Sequence, residues 1–293
     1  MKSIVLGTSA VDTLIHVPDI HTLEDDMSLW AHSVTETIGS TGAGKAFALD
    51  VLGADVTLFT DLGQDEYRTK IIDFFDQTNV RLVVLETDKS TAHTNIMHSR
   101  GKRITVCTST PTVSPPVPNN FAEYLVDTDV VFLNINEYCR NYIPFLQNSD
   151  IPIVVHIHDY DEVNPYHVDF IAAANILIAS DIYIKDHRKF LEQQINQGKS
   201  IVIVTKGREG LVAMDQNKNF YSLPGYNDFE FVDSNGAGDS FCAGFMYEFW
   251  RTKDLLEALR FGTVCGAMAC ASMDLYHRDY DDKAIRKIVK RVS

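Results

Sequence analysis

Asp233-Ser234-Asn235-Gly236-Ala237-Gly238-Asp239-Ser240-Phe241 is the segment that says most about the architecture and chemistry of the chain. An extended segment, 228–232, precedes it, and an apolar run with helical character, 241–250, follows it. Glycine lets a backbone approach a ligand closely, and the free N–H groups of a first helical turn together carry about half a positive charge. The pattern therefore predicts a turn that opens a helix and holds an anion, most commonly phosphate.

Asp239 is the unusual member of this turn, because a carboxylate repels phosphate. Its presence is explained if it serves to accept a proton. We therefore predict phosphoryl transfer, with Asp239 deprotonating an attacking hydroxyl group. The amides that would stabilise the moving phosphoryl group are those of Gly236, Ala237 and Gly238. The alternative interpretation is an ordinary glycine-rich helix start, in which Asp239 is a favourable first-turn acid.

Length, charge and cysteine content narrow the class of protein. The 293 residues fit one large α/β domain with a small appendage, so we treat 1–293 as a single domain. A net charge of −14 argues against nonspecific binding to nucleic acid or to anionic membranes. The five cysteines form no Cys-x-x-Cys pair, which favours a reducing, cytoplasmic environment. We see no signal peptide in residues 1–17 and no run long enough to span a membrane.

Short apolar segments alternate with amphipathic segments of helical period along most of the chain. This alternation predicts a parallel sheet with helices on both faces. The C-terminal third is expected to be mostly helical, over 240–251, 255–273 and 282–292. Two other segments, 27–37 and 91–108, alternate polar and apolar residues and predict half-exposed antiparallel strands, with a hairpin turn at 100–103. We expect them to form a separate small sheet, contributed by 14–38 and 91–108.

The segment 233–241 resembles the D-T-x-G-A-G-D-x-F signature of the ribokinase-like (PfkB) carbohydrate kinases, with Ser234 in place of the threonine. The resemblance implies an α/β ribokinase-like fold: a central, mostly parallel sheet with helices on both faces, plus a small β-sheet lid over the sugar pocket. It also implies ATP and Mg²⁺ as cofactors, a small sugar-like acceptor, and a homodimer formed through the lid. Asp233 would help to shape a monovalent-cation site, for which K⁺ is the candidate.

A second glycine-rich segment, Gly39-Ser40-Thr41-Gly42-Ala43-Gly44-Lys45-Ala46, nearly spells the P-loop pattern G-x-x-x-x-G-K-[ST]. Ala46 lacks the hydroxyl that the pattern needs for magnesium. The same segment resembles the G-G-x-x-A-N-x-A text of the kinase family. We therefore interpret four of its residues as substrate-binding: Gly39, Ser40, Thr41 and Gly44. Two of these depart from the family, because Ser40 replaces a glycine and Gly44 replaces an asparagine that touches the sugar in relatives.

Asp12 closely follows the first apolar strand, at the edge where open parallel sheets bind their ligands. An aspartate there can accept hydrogen bonds from two hydroxyl groups, and the family resemblance assigns it that role. A polar loop residue is the alternative. Because of the departures at Ser40 and Gly44, the acceptor need not be an ordinary sugar.

The segment Thr205-Lys206-Gly207-Arg208-Glu209-Gly210 matches the T-x-G-x-x-G turn that borders the nucleotide in the resembling family. We expect Thr205, Lys206, Gly207 and Gly210 to bind nucleotide; a simple glycine turn is the alternative. Ser180, a further nucleotide-binding candidate, begins a segment that stands where relatives carry N-x-x-E, which orders magnesium and phosphate. Asp181 partly replaces the missing acid, whereas Tyr183 does not.

These departures leave two alternatives to a working kinase. One is a catalytically silent relative that binds nucleotide or metabolite as a sensor. The other is a true P-loop NTPase, in which Lys45 would bind nucleotide. His156 and His158 alternate at a predicted strand end, an arrangement that also occurs in metal sites. The sequence shows no further ligands to complete such a site, so polar side chains that line the cleft are the favoured interpretation.

Overall fold

Strands and helices alternate along the chain in a computed structural model that describes residues 1–18, 28–98, 102–272 and 281–292. In chain order the strands are β1 (Lys2–Leu6), β2 (Ala10–His16), β3 (Ser33–Gly39), β4 (Asp55–Leu62), β5 (Arg81–Glu86), β6 (Thr91–His98), β7 (Lys102–Ser109), β8 (Val130–Leu133), β9 (Ile153–His156), β10 (Ile176–Ser180), β11 (Ile201–Thr205), β12 (Leu211–Asp215) and β13 (Phe220–Leu223). The helices are α1 (Thr41–Val51), α2 (Glu66–Phe75), α3 (Phe121–Leu125), α4 (Ile143–Gln147), α5 (Val168–Ala173), α6 (His187–Asn196), α7 (Ala237–Thr252), α8 (Leu255–Ala269) and α9 (Asp282–Val292).

The larger sheet has the spatial order β13-β12-β11-β10-β9-β8-β1-β4-β5. Its neighbours from β11 through β5 pair in parallel, and β12 and β13 add an antiparallel edge. Side chains of a strand alternate between the two faces. Val5 of β1 accordingly packs in the core with α1, α7 and α8, whereas Ile4 and Leu6 pack in the opposite core with α4, α5 and α6. The expected α/β architecture, with helices on both faces of a mostly parallel sheet, is confirmed.

The smaller sheet has the order β3-β2-β6-β7. Strand β2 pairs antiparallel with β3 and parallel with β6, and β6 pairs antiparallel with β7. The separate small sheet is thus present, although β2 begins at Ala10, before the predicted range 14–38. The register joins His98 to Lys102, as a hairpin requires, but residues 100 and 101 of the predicted turn lie outside the described residues, as does residue 27 of the first predicted strand.

Two helix boundaries differ from the sequence prediction. Helix α7 begins at Ala237 rather than 240, so the glycine turn runs directly into it. Helix α8 ends at Ala269, before the predicted end at 273, a residue outside the described ones. Among the described residues, no helix is both long enough and apolar enough to serve as a membrane span.

Candidate active site

Gly236 forms the cap of α7 with a left-handed backbone, at a φ of 74°. That conformation is readily adopted by glycine and places the turn directly beneath the first helical amides. The preceding residues are fixed by Asp233, which is buried and accepts a hydrogen bond from the Asn235 N–H at 3.0 Å. The turn is therefore held by its own acid, and its geometry is that of an anion-binding helix start.

The predicted amides of this turn are not equivalent. The Ala237 N–H donates to the Ser234 carbonyl oxygen at 3.3 Å, within the turn itself. For Gly236 and Gly238, no acceptor of the backbone N–H is found in the described part of the chain. Two of the three predicted amides are thus available to a ligand.

Asp239 lies in the first turn of α7 and is 7% exposed. Its Oδ1 atom lies 2.5 Å from the Nζ atom of Lys45, a residue of α1 that is 1% exposed. The same Nζ lies 2.8 Å from the Asn134 side-chain oxygen and 3.5 Å from the Thr41 carbonyl oxygen. The carboxylate predicted to act as the catalytic base is therefore one half of a buried ion pair.

The second carboxylate oxygen of Asp239 has a different environment. Asp239 Oδ2 receives no hydrogen bond from the described residues, and the Asp239 side chain is 9% exposed. Gly44 lies directly beside it, because a Cβ atom at this position would stand 3.1 Å from Oδ2. The glycine that replaces the family's asparagine therefore leaves space next to the oxygen that would accept a proton.

Asp12 lies within β2 of the small sheet rather than in a loop after β1, and it is 3% exposed. Its Oδ1 atom is 2.8 Å from His93 Nδ1 on the neighbouring β6. Gly39 of β3 pairs with Ala10, and a Cβ atom on Gly39 would clash with the Asp12 carboxylate. Ser40 follows with φ 74° and ψ 159°, a region that is otherwise almost confined to glycine.

An aromatic-lined cavity of about 330 Å³ lies beside the α7 turn. Its walls include the predicted nucleotide residues Thr205, Gly207 and Gly210, together with the turn residues Ser234, Ala237 and Gly238, and the aromatic residues Tyr226, Phe229 and Phe231. The Arg208 guanidinium lies 4.8 Å from the centre of the Phe231 ring. The structure thus brings the two predicted glycine turns to one cavity.

Two predicted nucleotide residues do not line this cavity. Lys206 Nζ lies 3.6 Å from Glu209 Oε2, and Ser180 lies at the end of β10, where its N–H donates to the His158 oxygen at 2.7 Å. The neighbouring Asp181 N–H donates to the Thr205 oxygen at 3.0 Å, so Asp181 and the cavity wall are joined through the backbone.

His156 is buried against the α7 turn, at 3% exposure. Neither of its ring nitrogens has a hydrogen-bond partner among the residues that the structure describes, and a Cβ atom on Gly238 would stand 2.7 Å from its Cε1. The His158 ring lies 4.1 Å away between ring centres. Burial lowers the pKa of His156 well below its usual value and that of His158 to about 4, so both are neutral near pH 7. No group of three or more metal-ligating side chains is found among the described residues.

Lys45 and Asn134 join the predicted site residues through their contacts with Asp239 and with each other, although the sequence offered Lys45 only in the P-loop alternative and did not offer Asn134. Asn134 directly follows β8, and Asp61 lies near the end of β4, so each stands where a parallel strand delivers polar side chains to the ligand edge. Asp61 accepts from the Thr8 hydroxyl at 2.8 Å, and burial raises its pKa to about 6. The signal available in the sequence for Asn134 and Asp61 was a polar residue at a strand end.

The comparisons with known proteins agree with this geometry. Residues 168–279 match the model of the pfkB family carbohydrate kinases. An acarbose 7(IV)-phosphotransferase from an Actinoplanes species is 24% identical over 277 residues, 91% of each chain. The ribokinase of Bacillus subtilis is 25% identical over 252 residues, 80% of this chain and 81% of the relative.

Solved structures show the same fold. A microbiome-derived acarbose kinase superposes with a TM-score of 0.88 at 22% identity, over 99% of both chains. A ribokinase from Giardia lamblia superposes with a TM-score of 0.84 at 15% identity, over 100% of this chain and 99% of the other. Both glycine turns of the cavity lie inside the matched segment, and the fold around them is ribokinase-like, so the chain is similar to the PfkB carbohydrate kinases in this segment and in its overall fold.

Proposed function

We propose that the chain transfers the γ-phosphoryl group of ATP to a hydroxyl group of a sugar or sugar-like acceptor. The observation that carries this proposal is the position of Asp239: its Oδ2 atom, which receives no hydrogen bond from the described residues, lies in the same helical turn as the Gly238 amide. A proton acceptor and a hydrogen-bond donor for an anion therefore stand side by side, as an in-line transfer to a hydroxyl requires.

The nucleotide would occupy the cavity beside the α7 turn. The aromatic side chains of Tyr226, Phe229 and Phe231 offer apolar surface for a base, while Gly207 and Gly210 let the backbone approach ribose or phosphate. The transferring phosphoryl group would reach the amides of Gly236 and Gly238. A missing amide donor at such a position typically costs about 3 kcal/mol of transition-state stabilisation.

The acceptor would lie between the α7 turn and the small sheet. Asp12 would accept hydrogen bonds from its hydroxyl groups, and the Asp12–His93 hydrogen bond keeps that carboxylate in place. Gly39, Ser40, Thr41 and Gly44 would border it at the start of α1. The missing side chain at Gly44 would leave room for a larger acceptor than ribose. His156 and His158 would line the same space from β9 and its end.

Mg²⁺ would neutralise phosphate charge during the transfer. Asp181 offers the hard oxygen ligand that this ion prefers, next to the cavity wall at Thr205.

The proposed K⁺ site at Asp233 is tested by replacing K⁺ with Na⁺ or choline: a drop in turnover with unchanged folding supports it. The proposed homodimer through the small sheet is tested by sedimentation, since the sheet exposes Val34 and Val106.

The test is an ATP-dependent assay over acarbose, ribose, 5-dehydro-2-deoxygluconate and a nucleoside, the acceptor types for which relatives are named. We expect ADP release together with a phosphorylated product, detected by mass spectrometry, for at least one sugar-like acceptor. The Asp239→Asn variant serves as the control, because it removes the base and leaves the cavity intact. ADP release that is equal in both proteins would refute the proposal.

A ligand-binding sensor is the second candidate function. It is favoured by Tyr183, which is 54% exposed where relatives of the resembling family carry an acid. Clear thermal stabilisation by ATP or by a sugar, with no turnover on any acceptor, would identify a sensor. Turnover that depends on Asp239 would exclude it. The P-loop NTPase receives no support, because Lys45 contacts Asp239 and Asn134 and does not line the cavity.

A further inference from the structure

Lys45 is a buried cation that none of the steps above uses. A lysine ammonium is costly to bury unless it is paired, and this one is 1% exposed on the first turns of α1. Its partner is the residue proposed as the catalytic base, Asp239, at 2.5 Å. The pair therefore ties the acceptor-side helix α1 to the donor-side helix α7 at the reacting centre.

The hydrogen bonds of Lys45 show that it does not bind a ligand itself. An ammonium group has three N–H donors, and Nζ finds three acceptors, on Asp239, Asn134 and Thr41. Among the described residues, all three acceptors of Nζ are thus protein groups, with Thr41 the most distant at 3.5 Å. Its effect on the reaction must therefore pass through the residues that it holds.

Asn134 fixes the direction of the ammonium group. Its side-chain N–H₂ donates to the Leu6 carbonyl oxygen at 2.8 Å, which turns its oxygen toward Lys45 Nζ at 2.8 Å. Gly7 makes room for this amide, because a Cβ atom there would stand 2.3 Å from Asn134 Nδ2. A continuous chain of hydrogen bonds thus runs from the end of β1 through Asn134 and Lys45 to Asp239.

The consequence for Asp239 is that its two oxygens become different. The terminal torsion of an aspartate is broad, so an unheld carboxylate would rotate. Lys45 engages Oδ1, and no donor to Oδ2 is found in the described part of the chain, on the side where Gly44 carries no side chain. Held in this way, Oδ2 is the oxygen presented to an incoming hydroxyl group.

We propose that Lys45 is the positioning residue of the phosphoryl transfer: it clamps Asp239 Oδ1 so that Oδ2 faces the acceptor hydroxyl. This proposal rests on the proposed kinase function. It assigns Lys45 to the orientation of the base, and not to the binding of nucleotide or acceptor.

The test is a double-mutant cycle with Lys45→Met and Asp239→Asn, read in kcat and in the KM for ATP. We expect Lys45→Met to lower kcat on the order of 10- to 100-fold, because a misplaced base loses its alignment. The KM for ATP should stay within about twofold, since Lys45 does not touch the cavity. In the double variant kcat should equal that of Asp239→Asn alone, because a residue that acts only through Asp239 has nothing left to hold.

Lys199 provides the matched control. It is also a buried lysine, at 5% exposure, but its Nζ donates to the Ala172 oxygen at 3.4 Å, away from the site residues. Lys199→Met should change the melting temperature without changing kcat. A loss of kcat in this variant equal to that of Lys45→Met would reduce the Lys45 effect to general destabilisation and overturn the proposal.

Three further outcomes separate the possibilities. An unchanged kcat in Lys45→Met, with an active wild type, overturns the positioning role and leaves the kinase function standing. An inactive wild type overturns both. If Lys45→Met does not fold, the double variant carries the test, because it contains neither buried charge. A double variant at least about tenfold slower than Asp239→Asn would then indicate a general structural role and overturn the proposal.

Discussion

Two turns of this molecule reach the same backbone torsion with different residues. Gly236 caps α7 at φ 74°, and Ser40 caps α1 at φ 74°. Glycine adopts this torsion without strain, whereas serine at ψ 159° lies in a region with a cost of about 1–3 kcal/mol. The turn at α7 therefore follows the family pattern at no cost in stability, while the turn at α1 departs from it and carries strain.

The difference has a chemical reason. In the proposed kinase the α7 turn would contact a phosphoryl group through backbone amides, and glycine and the helix start meet that requirement. It also lies within the segment 168–279 that matches the kinase family. The α1 turn would contact the acceptor through side chains, and it lies outside that segment. A change of acceptor can therefore alter Ser40, Gly44 and Lys45 while the α7 turn stays the same.

The largest expected effect concerns the base on the α7 turn. Asp239→Asn should lower kcat by a factor on the order of 10² to 10⁴, because no base then takes the proton from the hydroxyl group of the substrate. Nucleotide affinity, measured by calorimetry, should change little, since Asp239 does not line the cavity. Full activity in this variant would show that Asp239 is not the base, and the α7 turn would then have no catalytic role that distinguishes it from the α1 turn.

The next prediction compares one glycine from each turn. In Gly238→Ala the new Cβ would stand 2.7 Å from His156 Cε1, so the turn or the ring must move, and kcat should fall on the order of 10². In Gly39→Ala the Cβ would collide with the Asp12 carboxylate, so the KM for the acceptor should rise about 10- to 100-fold. Steady-state kinetics with each substrate varied in turn separates these effects. A raised acceptor KM in Gly238→Ala together with a loss of kcat in Gly39→Ala would show that the roles of the two turns have been exchanged.

A smaller effect tests the strain at Ser40. Ser40→Gly should raise the free energy of unfolding by about 1–3 kcal/mol, because the left-handed torsion is no longer strained. Ser40→Ala is the matched control, since it removes the hydroxyl but keeps the strain, and it should not stabilise. Chemical denaturation measures both variants. Equal stability of the two would show that the α1 turn is as relaxed as the α7 turn.

The last prediction is a pH dependence of stability, in which two buried groups act in opposite directions and their net effect is small. Burial, and then the charge of Lys45, lower the pKa of His158 from 6.5 to about 4. Between these values the unfolded chain binds a proton that the folded chain does not. Stability should therefore fall with falling pH, by about 1.4 kcal/mol per pH unit from this group.

Asp61 opposes this trend. Burial raises its pKa from 3.8 to about 6, so the folded chain keeps a proton that the unfolded chain loses as the pH rises through that range. His158→Asn should make the acid destabilisation shallower, and asparagine suits the positive φ of 52° at this position. Asp61→Asn should make it steeper. Thermal unfolding between pH 7 and pH 4 measures both, and parallel curves for the two variants would contradict the assignment.

The sequence by itself determined the alternation of strands and helices, the separate small sheet and the position of Asp239 at a helix start. These follow from local rules, because apolar periodicity and glycine act over a few residues of chain. Only the tertiary structure decided that Lys45 and Asp239 meet, that Asp12 lies in a strand beside His93, and that the Ala237 amide is engaged within its own turn. Lys45 and Asp239 are separated by 194 positions. Their contact depends on how α1 and α7 pack against the same face of the sheet, and no local pattern encodes that distance.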